Sequence, residues 1–411
     1  MFTNTINMII RGRFCRRVII LILIFLASFY GTVLFYGDLK IPRVMRLTDL
    51  RRCPACYGVT VCPELYSNQI IPDKNDWTNM LFNAKNIYYG YTKSNRRIVL
   101  KKLAHDWEFS EFDNKLCKAW KLNKNCHPID LLNVTGVEKK LEQLVHFNLT
   151  VPQVEPRKGL VFCPYSFGIH DFIEPALNNK KTSRNYQSDM INIWTMLSIN
   201  PEPIVLQVIP KSKGWQVPAY GGVCGRLEIV AYEGQPLSVL GNIHWHRKLI
   251  IAKRLLDAAM DFTYKHDRFR FYLMDWSTDN IVVNEKDEIT FVDLEDVIVL
   301  DKHISPKSDL PDWYKRYFRD DNDPANVFSI ENMCKHHLSD HNIYAACHTL
   351  GGDNEPFLHP VPVDFQHWAQ LSTLLRDCLK GTDRFKTVVL LQRYIAELLT
   401  KGSVVGIGSV R

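Results

Sequence analysis

The feature that most constrains this chain is an uncharged, apolar run close to its N-terminus, from Val18 to Tyr36. A helix of that length rises about 28 Å, which is close to the hydrocarbon thickness of a bilayer. Four arginines between positions 11 and 17 precede the run, and positive charge stays on the cytosolic side of a membrane. We therefore predict a cytosolic tail over 1–17, a membrane segment over 18–37, and a lumenal or extracellular body.

A cleaved signal peptide is the alternative interpretation of this segment. Ala27, Ser28 and Gly31 supply the small residues that a cleavage site needs. Both interpretations expose the rest of the chain to the secretory pathway. Two glycosylation sequons, at Asn133 and Asn148, agree with that exposure.

Cysteine usage points to the same compartment. One of the eleven cysteines, Cys15, precedes the apolar run, and an even number follows it. In an oxidising compartment such a set predicts structural disulfides, whose connectivity the sequence leaves open. The pair Cys53 and Cys56 also has the spacing of a zinc or redox site, but no second such pair or nearby histidine completes it. The disulfide candidates are Cys53, Cys56, Cys62, Cys117, Cys126, Cys163, Cys224, Cys334, Cys347 and Cys378.

Beyond the membrane segment, strands come first and helices follow, which predicts an α+β fold with two lobes. We predict a cysteine-rich stem over 38–72, a small, mainly β N-lobe over 73–230 and a larger helical C-lobe over 231–411. The N-lobe contains an irregular, glycosylated insertion over 121–185. Apart from the four arginines before the apolar run, the excess that makes up the net charge of +7 is spread out, without a basic stripe between aromatic residues, so nucleic acid is not expected as a partner.

Alternating and helical patterns locate the main elements. Strands are predicted over Asn86–Tyr91, Arg97–Leu103 and Ile204–Ile209, and the periodicity predicts helices over Asp106–Trp120 and Trp245–Lys265.

Two short strands, Ile281–Val283 and Ile289–Val292, predict a hairpin. If Ile281 pairs with Val292, Asn280 lies opposite Asp293, with about 5 Å between their Cβ atoms. An amide oxygen and a carboxylate are ligands that Mg²⁺ prefers when phosphates and water complete its shell. Asp275, five residues before Asn280, is then placed to face a substrate hydroxyl.

This pattern resembles the active site of protein kinases. The resemblance implies that Asp275 is the catalytic base and that Asn280 and Asp293 bind the metal ion. Ile98-Val-Leu-Lys101 resembles the nucleotide-binding strand, and we select Lys101 rather than Lys102 as the inward-facing lysine. The partner of Lys101 is predicted to be Glu108 or, failing that, Glu111.

A narrower resemblance covers nearly the whole chain. The segments CPACYG, VLKKL, NPEPIVLQ, YLMDWSTDN and VDLEDVIVLDK are similar to those of the Deleted-in-Autism group of divergent, secretory-pathway kinase-like proteins. That resemblance implies a kinase-like fold, residence in the Golgi lumen or outside the cell, and ATP with Mg²⁺ or Mn²⁺ as cofactors. It also implies a lumenal or extracellular protein as substrate or receptor.

Departures from the kinase pattern leave a second hypothesis open. Leu273-Met274 replaces the usual His-Arg pair, and Glu295 follows Asp293-Leu where kinases have glycine. Gly90 alone falls where a glycine-rich loop is expected. The alternative is a pseudokinase that serves as a secreted ligand or scaffold. A third hypothesis, a glycosyltransferase, depends on the Asp-x-Asp spacing of Asp321 and Asp323, which a solvated loop explains more simply.

Overall fold

The computed structural model describes residues 20–31, 44–73, 86–119, 159–163, 169–177, 186–241, 243–303, 315–321, 327–352, 356–381 and 383–405, with 121, 126 and 130. Its helices are α1 (20–31), α2 (Val44–Thr48), α3 (Cys62–Tyr66), α4 (Asp106–Ala119), α5 (Ile169–Ile173), α6 (Tyr186–Ile199), α7 (Glu202–Val208), α8 (Trp245–Tyr264), α9 (Ile330–Lys335), α10 (His341–Gly351), α11 (Trp368–Lys380) and α12 (Arg384–Val405). Short 3-10 turns lie at Leu50–Arg52, Glu174–Ala176, Lys211–Lys213 and Leu237–Val239.

In the part of the chain that the structure describes, the strands form one five-stranded sheet and three smaller sheets. The larger sheet is antiparallel, with the order β1-β2-β3-β6-β5. The strands are β1 (Ile70–Pro72), β2 (Ile87–Thr92), β3 (Arg97–Lys102), β4 (Val161–Phe162), β5 (Tyr220–Cys224), β6 (Leu227–Ala231), β7 (Gln235–Pro236), β8 (Phe269–Leu273), β9 (Ile281–Val283), β10 (Ile289–Phe291), β11 (Val297–Asp301), β12 (Arg316–Tyr317) and β13 (Leu338–Ser339).

The segment predicted as a stem packs against the five-stranded sheet. Its last residues form β1, and Ala55, Cys56 and Tyr57 are fully buried. Gly225, at φ +63°, lets the chain pass so closely that a Cβ atom there would lie 1.8 Å from the Thr48 carbonyl oxygen. Because these residues are interior, they contribute to the core of the small lobe.

All ten predicted cysteines form disulfides, which confirms the prediction of structural bridges. The pairs are Cys53–Cys56, Cys62–Cys224, Cys117–Cys126, Cys163–Cys334 and Cys347–Cys378. The second joins the stem segment to β5, and the fourth joins β4 to α9. Cross-links over such long separations restrict the unfolded chain most strongly.

The helical part is built around α8, which is apolar where it contacts α10 and α12. Its predicted range, Trp245–Lys265, is confirmed to within one residue. The β9–β10 hairpin and the antiparallel pair β8–β11 lie beside it and supply the loops of the candidate site.

Two predictions about local structure were wrong. Residues 204–208 form part of the helix α7 rather than a strand, because an apolar run buried on every side lacks the periodicity that separates the two. In the hairpin, Ile281 pairs with Phe291 rather than Val292. Asn284 accepts from the backbone N–H groups of Lys286 and Glu288, and this turn shifts the register by one residue.

The N-terminal prediction and both sequons fall largely beyond what the structure describes. Residues 20–31 are helical and exposed, and the remainder of 18–37 lies outside the described residues. Within the described ranges, no helix is both long and apolar enough to cross a membrane. Asn133 and Asn148 also lie outside the described residues.

Candidate active site

Lys101 is the centre of the candidate site. It lies on β3, is 8% exposed, and places its Nζ atom 2.7 and 2.9 Å from the two carboxylate oxygens of Glu202. Asp293 Oδ1 lies 3.6 Å from the same nitrogen. Burial alone would lower the pKa of Lys101, but the charges of Glu202 and Asp293 raise that pKa above its usual value. Lys101 is therefore a buried ammonium ion between two carboxylates.

The partner of Lys101 is Glu202, so the prediction of Glu108 was wrong. Glu108 lies in the first turn of α4, where it accepts a hydrogen bond of 2.6 Å from the backbone N–H of His105. That contact is typical of a helix cap. The second choice, Glu111, is exposed and pairs with Lys115 one turn away.

Glu202 reaches Lys101 because a distinct turn precedes α7. The side chain of Asn200 accepts from the Glu202 backbone N–H at 3.0 Å and donates to Glu295 at 2.8 Å. Glu202 opens the helix, and Pro203 follows it. Proline near a helix start is a recognised signal, so Asn200-Pro-Glu-Pro203 marked a helix start as well as the end of α6.

The loop between β8 and β9 brings Asp275 and Asn280 together. The Asn280 side chain donates a hydrogen bond of 2.8 Å to Asp275 Oδ2, and Asp275 is exposed. The backbone carbonyl of Asn280 accepts from Val292 at 2.8 Å, so Asp293 lies one residue beyond the predicted pairing. Asp293 adopts φ +65°, and its backbone N–H donates to Glu202 at 3.2 Å. Asp293 thus contacts Lys101 and Glu202.

Side chains from α10 hold the strand that leads into this loop. His341 Nε2 lies 2.8 Å from the Leu273 carbonyl oxygen, and Asn342 accepts from the Leu273 N–H at 3.1 Å. Asn342 also donates to the Phe271 carbonyl at 2.8 Å. These two residues of α10 therefore hold the end of β8 in place, just before the loop. The His-Arg pair that braces this loop in kinases is replaced here by Leu273-Met274.

Several acidic side chains lie near Lys101, so the candidate site contains more acidic groups than lysines. Glu228, on β6, is fully buried and pairs in register with Lys101. Glu295 is partly buried, and burial together with Asp293 and Asp296 raises the pKa of its carboxyl to about 7. Phosphate would enter this site only if cations offset the negative charge. In the described ranges, no group of three or more His, Cys, Asp or Glu side chains could hold a metal ion.

Two other predicted features have structural explanations. Gly90 lies inside β2, where a Cβ atom would be 2.7 Å from the Ile71 carbonyl oxygen, so this glycine permits the approach of β1. The β1–β2 connection, 74–85, lies outside the described residues and contains no glycine.

Asp321 is held by the Arg319 guanidinium at 2.6 and 2.9 Å, and Asp323 lies outside the described residues.

Comparison with known proteins agrees with this geometry. Residues 193–381 match the family model described as the protein-kinase domain of FAM69. The chain is 31% identical to Divergent protein kinase domain 2A of Xenopus tropicalis and 30% identical to the human protein of that name, over 86% of this chain and 88% of each relative. It is 21% identical to mouse Divergent protein kinase domain 2B, over 54% of this chain and 53% of that protein.

Proposed function

Because this chain belongs to the divergent protein kinase domain family, we propose that it binds a nucleoside triphosphate with a divalent metal ion and transfers a phosphoryl group. The observation that carries the proposal is the contact of Lys101 with both Glu202 and Asp293. A buried lysine held by a glutamate beside a carboxylate is the arrangement that orients phosphates in kinases. The acceptor is a hydroxyl group on a lumenal or extracellular protein.

The proposal assigns a role to each residue of the site. Lys101 binds nucleotide phosphate, and Glu202 orients it. Asn280 and Asp293 hold Mg²⁺ or Mn²⁺, which supplies charge neutralisation at the phosphates. The Asp293 side chain is 42% exposed and so accessible to a hydrated ion. Asp275 is the base that accepts the hydroxyl proton, and Asn280 orients its carboxylate through their hydrogen bond.

The proposed location is the Golgi apparatus or the lumen of the secretory pathway, or the cell exterior after secretion. Five disulfides support an oxidising compartment, where such bonds form and persist. Residues 18–37 attach the chain to the membrane unless they are cleaved. A protein in that compartment encounters lumenal and extracellular proteins. The proposed substrate or receptor is therefore a protein of that class.

A pseudokinase that serves as a secreted ligand or scaffold is the second candidate function. An additional acidic group near Lys101 favours it, because Glu295 adds negative charge close to the place proposed for phosphate once it is ionised, above its pKa of about 7. Such a protein would use the same fold as a binding surface and retain nucleotide weakly or not at all.

A thermal shift assay with MgATP separates the two functions. We expect the wild-type protein to be stabilised by MgATP and Asp293→Ala to lose that stabilisation, because the metal ion loses a ligand. Glu111→Gln, an exposed change on α4, is the matched control and should respond as the wild type does. The absence of any shift at millimolar MgATP would contradict nucleotide binding.

Phosphoryl transfer needs its own assay. Incorporation of radiolabelled phosphate into a panel of secreted proteins should fall by a factor of about 100 or more in Asp275→Asn, since general-base catalysis contributes at least that much. Equal incorporation by the wild type and Asp275→Asn would refute the assigned base. MgATP binding without any incorporation would favour the scaffold.

A further inference from the structure

Glu228 is a buried acid that the proposed reaction does not use. It lies on β6 directly across from Lys101 on β3, which places the two Cβ atoms within about 5 Å. The side chain is fully buried. Among the described residues, no donor bonds to either of its carboxylate oxygens. An ionised carboxylate in that condition would be costly, because burial removes its hydration without replacement.

The neighbour that Glu228 contacts is another carboxylate. The Glu228 side chain is in hydrogen-bonding contact with the side chain of Glu202, which is also fully buried. Two ionised carboxylates only accept hydrogen bonds, so this contact needs a proton between them. Lys101 does not remove the conflict, because its Nζ atom lies against both oxygens of Glu202.

The proton belongs on Glu228 rather than on Glu202. Burial raises the pKa of Glu228 well above its ordinary value, and the charge of Glu202 raises it further. Glu202 already accepts hydrogen bonds from Lys101 and from the Asp293 backbone N–H, whereas no described donor reaches Glu228. The remaining groups that interact with Glu228 are Asp293 and the phenols of Tyr57 and Tyr220.

We propose that Glu228 carries a proton in the folded protein and donates it to Glu202, so that it is a positioning residue for the Glu202–Lys101 pair. The triad Lys101, Glu202 and Glu228 then has no net charge. Glu202 is held from one side by Lys101 and from the other by Glu228, which fixes where the ammonium group points. The consequence for phosphate binding rests on the proposed nucleotide site, whereas the protonation itself does not.

Substitutions that keep or remove the donor test this proposal. Gln at 228 keeps an N–H donor of nearly the same shape, and Met keeps the volume without a donor. We expect Glu228→Gln to keep the folding equilibrium constant within about threefold of the wild type, and Glu228→Met to lower it by about tenfold or more, because Glu202 loses a partner. Equal losses in both variants would overturn the proposal.

Tyr57→Phe is the matched control, since the buried Tyr57 hydroxyl also lacks a partner among the described residues. Its ring packs edge-on against Phe109, a contact that phenylalanine preserves. We expect no change in stability. A loss as large as that of Glu228→Met would identify Tyr57 as the donor to the acid pair and would refute a proton on Glu228.

Infrared spectroscopy of the wild-type protein tests the proton directly and does not depend on any variant folding. At about pH 8.5, ordinary glutamates are ionised, and so is Glu295 with its pKa of about 7. We expect a carboxylic-acid carbonyl band that persists at this pH and disappears in Glu228→Gln. Absence of the band from the wild type would overturn the proposal, even if MgATP binding and phosphoryl transfer were both established.

The same variants separate this inference from the proposed function. If the wild type binds MgATP, Glu228→Gln should bind it within about threefold and Glu228→Met about tenfold more weakly, because Lys101 is less well oriented. If the wild type binds no nucleotide, the proposed function fails. The stability and infrared results then still decide whether Glu228 holds a proton.

Discussion

Lys101 and Glu202, which are 101 residues apart in the sequence, form a buried ion pair in which one ammonium group contacts both oxygens of one carboxylate. The contact joins β3 of the five-stranded sheet to the first residue of α7. It also places the ammonium group beside Asp293, which follows the hairpin. Three separate parts of the chain therefore meet at a single nitrogen atom.

Removal of the lysine should destabilise the fold. In Lys101→Met, Glu202 is left buried without a counter-charge, and we expect the free energy of unfolding to fall by about 3–5 kcal/mol. Urea denaturation at pH 7 measures this change. Glu108→Gln, which retains an oxygen for the cap of α4, should stay within about 1 kcal/mol of the wild type. A stable Lys101→Met variant would show that solvent reaches Glu202.

Acid should weaken the contact between His341 and the carbonyl group of Leu273, which anchors the loop between β8 and β9. Burial and the nearby Arg319 lower the pKa of His341 to about 4, from about 6.5 in an unfolded chain. The unfolded state therefore binds more protons between these values, so the stability due to His341 is complete above pH 6.5 and is lost as the pH falls toward 4. The difference amounts to about 3 kcal/mol.

Denaturation by urea at pH 7 and near pH 4.5 measures that loss. His341→Gln does not titrate, so its free energy of unfolding should fall less over this interval than that of the wild type. Parallel falls in the two proteins would assign the pH dependence to carboxylates elsewhere.

The long-range disulfide of the small lobe should contribute more than the short one. Cys62–Cys224 closes a separation of 162 residues, whereas Cys117–Cys126 closes one of 9. Loop-closure entropy predicts that loss of the first bridge costs about 2.5 kcal/mol more than loss of the second. Paired Cys→Ala variants of each bridge, compared by urea denaturation, measure this difference. Equal costs would mean that the unfolded chain already holds the stem segment near β5.

Gly225 should be intolerant of any side chain. A Cβ atom there would meet the Thr48 carbonyl oxygen at 1.8 Å, and φ is +63°. We expect Gly225→Ala to lower the free energy of unfolding by about 1–3 kcal/mol, because the backbone of the stem segment must move. Gly241→Ala is the matched control, since its Cβ atom would meet nothing within 4 Å. Its unfolding free energy should change by less than about 0.5 kcal/mol.

The predicted hairpin shows which features local sequence patterns can predict and which they cannot. Its two strands were located correctly except for one residue, because apolar strands around a polar turn give a clear signal. The register was wrong by one residue, since it depends on how Asn284 closes the turn. As a result Asn280 pairs with Val292 rather than with Asp293, and Asp293 contacts Lys101.

The acidic partner of Lys101, in contrast, could not be identified from local sequence patterns. Glu108 was selected because it follows β3 closely on a helix, but its carboxylate is used by the adjacent turn. Glu202 and Glu228 come from elements that meet Lys101 only through packing of the lobe. Nothing in the local sequence around either glutamate distinguishes a buried acid from an exposed one.

The sequence by itself determined the two strands of the β9–β10 hairpin, the helix α8, the inward face of β3, and a set of cysteines able to pair completely. These properties follow from local periodicity, turn chemistry and composition. Only the tertiary structure decided which cysteines pair, which glutamate meets Lys101, and which helix anchors the loop at Leu273. Each of these contacts joins residues far apart in the chain, and burial of the surrounding core, rather than any short-range preference, brings them together.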